Sequence, residues 1–386
     1  MNIEQAYVGA WFPRTSLHLR ELYRFLKDGE GVQGLDVKTT RSYWKALGAR
    51  DVSFHEEQEL DFVRARCGDI NLSLSEDGVM LLKSSARDPK KAIDKLEAFY
   101  VRLFGPAVSY LFSRGAPLPK ALTNIEEVYP IPLVVKFRSR DEALQLLARF
   151  DDTLVSTVSS PDIELYSGTT ILVLNIQEES RFASEELIEE FIQCIVFFRE
   201  FESQLRSYLE LHRSMWDDIA GIRESKALRY RDFPSVRERM LGFLTSISFV
   251  KARLAQMMDI IMARESAISA DLKGLLPMLG LHRFVALQAQ QKYVEDLWKM
   301  THEYADGTLG LLDSLFQENT QRELNALKLV TLIAAITSFF GMNIAFPWEE
   351  RWADASWSFY ATVFFIVCAV FLFYHLMRNM IYNRYF

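Results

Sequence analysis

The chain has 386 residues, a quarter of them charged and about half hydrophobic, which is ordinary globular composition with room for two or three domains. A formal net charge of -7 and a pI near 5.6 exclude a general nucleic-acid binder and suit a body that tolerates or attracts cations. Three widely spaced cysteines, Cys67, Cys194 and Cys368, exclude a CxxC redox motif or a zinc knuckle.

In chain order, "AYVGAWF" reads as a strand, and "SLHLRELYRFL" as an amphipathic helix capped by Thr15 or Ser16. The N-terminus has no basic segment followed by an apolar run, so no cleaved signal peptide is expected. "LDFVRARC", "DINLSLS" and "GVMLLKSS" are three short strands separated by turn residues. "DPKKAIDKLEAFYVRLF" is a helix with Asp88 as N-cap and Pro89 in its first turn. The pattern then recurs: strand "IPLVVKFRS", helix "RDEALQLLARF", strands "TLVSTVS", "DIELYS" and "TTILVLNI", and a helix from Ser184. This repetition suggests an internal duplication within an α/β domain of residues 1–183, joined near 111–129.

From Ser184 strand signals vanish, and residues 184–322 read as a stalk of long helices. Glu185 to Glu190 place acids in the first turn of that stalk. A second helix follows Pro234 and runs to about Lys273. A third begins near Gly280 and meets no proline before Pro347, with Gly307 and Gly310 as points of weakness.

Two apolar runs close the chain. Residues 357–377 carry no Lys, Arg, Asp or Glu, and as a helix would span about 31 Å, the thickness of a bilayer core. Residues 323–343 form a weaker run, read as a first transmembrane helix. Arg322 and Lys328, which flank it, and Arg378 and Arg384 after the second, put both termini in the cytosol. The connecting loop, 344–356, is then outside, and its Glu349, Glu350 and Asp354 would attract cations.

A large cytosolic α/β domain, a very long helix, the tripeptide Gly341-Met342-Asn343, an acidic loop and a last span together resemble the CorA-type family of magnesium and divalent-metal transporters. The resemblance covers nearly the whole chain, but its specific motif is three residues. It implies a homopentameric funnel in the lipid bilayer, most naturally the inner membrane of a bacterium. It further implies Mg²⁺ as the transported and regulatory ion, no organic cofactor and no enzymatic activity. Gly341, Met342 and Asn343 would form the selectivity filter, with a ring of Asn343 amides accepting hydrogen bonds from the waters of a hydrated ion. An ungapped alignment puts Gln317, Thr320, Glu323, Leu327, Thr331, Ala334 and Ser338 on the pore face. Glu323 would be an acidic ring where the family has an apolar constriction, and Leu332 stands where it often has proline. These departures leave open a Zn²⁺, Co²⁺ or Ni²⁺ transporter, or a non-conducting membrane scaffold or sensor.

Other constellations are weaker. His302 and Asp306 lie four apart on a helix, and His55, Glu56, Glu57 and Glu59 form an acidic loop. Asp217 with Asp218, and Glu189 with Glu190, are acidic pairs near helix ends. No nucleophile triad, P-loop or glycine-rich nucleotide motif is present in the sequence.

Overall fold

The computed structural model describes residues 5–12, 19–31, 33–56, 60–85, 88–112, 130–136, 140–160, 162–176, 180, 184–225, 232–274 and 283–341, and then 364, 366, 368, 369, 371, 372 and 375. The chain divides into two units, Met1–Ser214 with Thr245–His302, and Met215–Leu244 with Glu303–Phe386.

The first unit is built on a nine-stranded sheet. Its strands are β1 (Gln5–Trp11), β2 (Ala49–His55), β3 (Phe62–Cys67), β4 (Ile70–Ser75), β5 (Val79–Ser85), β6 (Ile131–Lys136), β7 (Ser156–Ser159), β8 (Ile163–Ser167) and β9 (Leu172–Ile176). They lie in the order β2-β3-β4-β5-β1-β6-β9-β8-β7, so β1 and β6 are central although they stand far apart in sequence. β6 and β9 pair parallel, and the other neighbours pair antiparallel.

Strand side chains alternate between faces. Val8, Leu72, Leu82, Val134 and Val173 point to one face and share a core with Leu22, Phe25 and Leu26 of α1 (Leu19–Asp28) and Leu96 of α3 (Pro89–Phe99). Leu146 of α5 (Arg140–Arg149) closes the same layer. On the other face, α6 (Glu185–Arg223) crosses the sheet centre. Gly9 of β1 is the point of closest approach, because a Cβ there would collide with Val196. Trp11 meets Phe201 at 5.2 Å between ring centroids, and its Nε1 donates to the Asp77 carbonyl at 2.8 Å.

The helix caps follow the chain's own signals. Asp88 accepts from the Lys90 amide with Pro89 in the first turn, and Asp36 caps α2 (Val37–Leu47) through the Thr39 amide. α2 ends at Gly48 in the left-handed region. Neither α2 nor β2 is expected from the sequence. Between α3 and α4 (Gly105–Phe112) runs a π-helical turn, Tyr100–Phe104, in which the Gly105 amide bonds the Tyr100 carbonyl five residues back. Pro106 explains it, having no N–H with which to bond Arg102 in α-helical register.

Two buried carboxylates brace the unit. Asp77 is fully buried and pairs with Arg264 of α7 (Phe233–Ala267) at 2.5 Å, and Arg264 also donates to Ser75 and Gln193. Asp152 accepts from the amides of Thr153, Thr169, Thr170 and Ile171, fixing the turn between β8 and β9. Burial would raise its pKa; these bonds and the Thr169 hydroxyl outweigh that and hold it well below the usual carboxylate range.

After α8 (Ala270–Lys273) comes α9 (Arg283–Gly341), 59 residues that pass unbroken through Gly307 and Gly310. In the second unit Arg237 pairs with Asp313 at 3.0 Å and Arg239 with Asp218 at 2.6 Å.

The membrane architecture expected from the sequence is corrected here. Among the described residues, no helix is long and apolar enough to cross a membrane. α9 shows why: Arg322, Glu323 and Lys328 fall within its last third, and roughly 13 residues follow Lys328, about 20 Å of helix against a bilayer core of about 30 Å. The run 357–377 lies mostly outside the described residues. The two transmembrane helices, the funnel, the homopentamer, the lipid bilayer as partner and the inner-membrane location all depended on these spans and are withdrawn with them.

Candidate functional site

A cleft of about 850 Å³ lies at the β2 edge of the sheet. Its walls come from four places: the end of α2 (Ala46, Leu47, Gly48), the start of β2 (Arg50, Asp51), the β3–β4 hairpin (Arg66 to Ile70), and one face of α3 and the π-turn (Lys95, Ala98, Phe99, Arg102, Leu103).

Three left-handed residues shape the rim: Gly48 at φ 57°, Asp51 at φ 51° and Gly68 at φ 66°. Asp51 is the costly one, since a residue with a Cβ is strained there by roughly 1 kcal/mol or more. It sits in an irregularity of the β2–β3 pairing between Arg50 and Ser53, where the strand bends and exposes Arg50.

Four basic side chains converge on this cleft in a chain whose overall charge is negative. The β2–β3 register sets Arg50 directly opposite Arg66. Like charges in that position destabilise a sheet, and a single charge would guard an edge strand against pairing with another chain. Arg66 donates to its own hairpin at the Gly68 carbonyl, 3.1 Å away. Lys95 is bonded to both Asp69 oxygens at 2.5 Å, and that contact holds Asp69 below the usual carboxylate range. Arg50 and Arg102 make no ion pair among the described residues. The cleft thus carries Arg50, Arg66, Lys95 and Arg102 against Asp51 and Asp69. Cys67 also lines it, but burial pushes its thiol up to about 11, so it is a protonated wall group and not a nucleophile.

The residues singled out from the sequence lie elsewhere. Glu323, Leu327, Thr331, Ala334 and Ser338 are exposed on α9, and Gly341 is its last residue. Met342, Asn343, Glu349, Glu350 and Asp354, and Glu57 and Glu59, fall outside the described residues. Gln317 and Thr320 lie on α9 as well. His302 and Asp306 share that helix, but among the described residues no group of three or more His, Cys, Asp or Glu gathers that could hold a metal ion. Asn343 and the acidic loop were the expected cation site, so among the described residues a divalent-metal channel has neither a span nor a metal site behind it. The Mg²⁺ channel reading, with its Zn²⁺, Co²⁺ and Ni²⁺ variants and the membrane scaffold, is corrected accordingly. Glu56 pairs with Arg20 at 2.7 Å, both well exposed, and His55 bonds Ser53. Glu190 accepts from the Ser269 amide, whereas Glu189 joins Glu185 around Lys83.

Arg50, Arg66, Lys95 and Arg102 were missed in the sequence because they stand singly in four segments. The one local signal was Gly105-Pro106 at the end of the third helix, which marks the register slip that presents Arg102.

No family model and no curated protein matches this chain. Among solved structures it is similar to the soluble domain of CorA from Methanocaldococcus jannaschii, at 12% identity and a TM-score of 0.27, over 48% of this chain and 88% of that one. At that identity and TM-score the likeness carries neither a family nor a residue role to this chain.

Proposed function

We propose that this protein is a binding module for a small polyanion of the phosphate-ester class, held in the basic cleft, and that it is not a catalyst. The observation that carries the reading is the cross-strand pair Arg50 and Arg66, joined by Lys95 and Arg102 around one cavity. An anion between the two guanidiniums relieves their repulsion and accepts paired N–H bonds from each. The cavity volume is in the range of small-molecule sites. The raised thiol of Cys67 argues against covalent chemistry there.

Inorganic tripolyphosphate is the direct probe. Calorimetric titration is expected to give a dissociation constant in the micromolar range that weakens as salt is raised. Arg50→Ala and Arg102→Ala should each weaken it by about tenfold, equivalent to ~1.4 kcal/mol. At a hundredfold excess over the dissociation constant the ligand should add about 2.7 kcal/mol to stability. Absence of binding at millimolar tripolyphosphate, or variants that bind like the unaltered protein, would overturn the reading.

A further inference from the structure

A second concavity of about 430 Å³ adjoins the basic cleft and shares Asp51 and Arg66 with it. Its floor is a tile of side chains fixed by strand register. One row runs Arg50–Arg66–Asn71–Lys83 across β2, β3, β4 and β5, each residue directly opposite the next. A second row runs Ser53–Arg64–Ser73–Leu81 beside it. Four strands at a spacing of about 4.8 Å make each row about 14 Å long.

The charge along this groove changes sign. The edge end carries Arg50 and Arg66, and Lys95 and Arg102 meet the same cleft from the α3 side of the sheet. The inner end lies under the first turn of α6, where Glu185, Glu186 and Glu189 line the wall. Lys83, nearly buried, is held by Glu185 and by Glu189 at 3.2 Å, and Arg64 lies 3.9 Å from Glu189. Glu186 is exposed and makes no ion pair among the described residues. Between the ends are neutral hydrogen-bonding groups, Ser53, Asn71 and Ser73. An aromatic platform flanks them: His55 stacks on Phe62 at 4.7 Å and remains exposed, with the Arg64 guanidinium 4.8 Å from the Phe62 ring centre.

Building on the polyanion reading, we infer that the two concavities are one bipartite site and that its ligand is a nucleoside polyphosphate. The phosphates occupy the arginine end. The sugar hydroxyls meet Ser53, Asn71 and Ser73. The base lies toward the His55 platform and offers its amino or ring N–H donors to Glu186. A carboxylate accepts such donors and repels phosphate, so the sign change along the groove sets the orientation of the ligand. Stacking on an aromatic ring is available to every base, so selectivity among bases comes from the donors that reach Glu186.

The test compares GTP and ATP with inorganic tripolyphosphate on the full chain, without added divalent cation, by calorimetric titration. At least one nucleotide is expected to bind tenfold or more tightly than tripolyphosphate. Glu186→Gln and Asn71→Ala should each shrink that advantage severalfold while tripolyphosphate binding is unchanged or slightly stronger. Both positions are exposed, and thermal melts confirm that the variants fold. Equal binding of nucleotides and tripolyphosphate overturns the bipartite site and leaves the polyanion reading standing. A nucleotide advantage that survives both substitutions also overturns it, since the base is then held elsewhere. Failure of all three ligands to bind overturns both readings.

Discussion

Glu200 shows how one side chain sets a pH dependence for the whole unit. It lies on α6 one residue before Phe201, which packs on Trp11, and burial lifts its carboxyl to about 7 despite the opposing charge of Arg199. The unfolded chain has an ordinary glutamate pKa of about 4.3. Between those two values the folded state keeps a proton that the unfolded chain has released. Stability therefore falls as pH rises from about 4.3 through about 7, and the loss is complete above that. Glu200→Gln removes the penalty. The variant should match the unaltered protein at pH 4 and exceed it at pH 8 by on the order of 2 kcal/mol. Melting temperatures at pH 4, 6 and 8 check this, and a difference that does not change with pH would contradict it.

At the scale of elements, the π-turn is the piece that presents Arg102 to the cleft. Its cause is local: Pro106 supplies no N–H, and Gly105 sits so close to Tyr100 that an added Cβ would lie 3.1 Å from the Tyr100 carbonyl. Pro106→Ala restores the missing donor and lets the helix relax toward α register, rotating Arg102 away. The expected result is a three- to tenfold loss of tripolyphosphate affinity with melting temperature unchanged or raised. Affinity equal to that of the unaltered protein would detach the π-turn from binding. The elements legible in the sequence were those whose pattern is strong. "GVMLLKSS" and "TTILVLNI" are dense in apolar residues because β5 and β9 are buried on both faces. Asp88-Pro89 announced α3 by chemistry alone. α2 and β2 escaped because "VKTTRSYWKAL" is rich in β-branched and aromatic residues, and "ARDVSFH" is a polar edge strand. The caps Asp36 and Gly48 were readable, but the periodicity between them was not. Missing β2 hid the cleft too, since the opposition of Arg50 to Arg66 is a statement about register and has no linear motif.

At the scale of the whole molecule, the sequence misled through composition. Residues 357–377 are as apolar as a membrane span, and they drew the long helix before them into the same reading. α9 is a 59-residue rod with charge close to its end, and length without a continuous apolar girth does not make a span. The division into two units also cuts across the linear order, because α6, α7 and α9 each supply residues to both. A scan for domain boundaries along the chain looks for linkers, and here a boundary falls inside helices.

The central place of β1 has a consequence for synthesis. Its partner on one side, β5, emerges from the ribosome about 75 residues later, and its partner on the other, β6, only about 125 residues later. Until then a strand bearing Tyr7, Val8 and Ala10 keeps a bare row of amides and carbonyls beside an otherwise complete meander. Such an edge is a template for any neighbouring chain. Nascent or truncated chains that stop before Ile131 are therefore expected to self-associate, and those extending through Ile176 to remain dispersed. Sedimentation of a stalled-chain series would show the change between those two points. A series that stays dispersed throughout would mean that the bare edge of β1 is shielded in some other way.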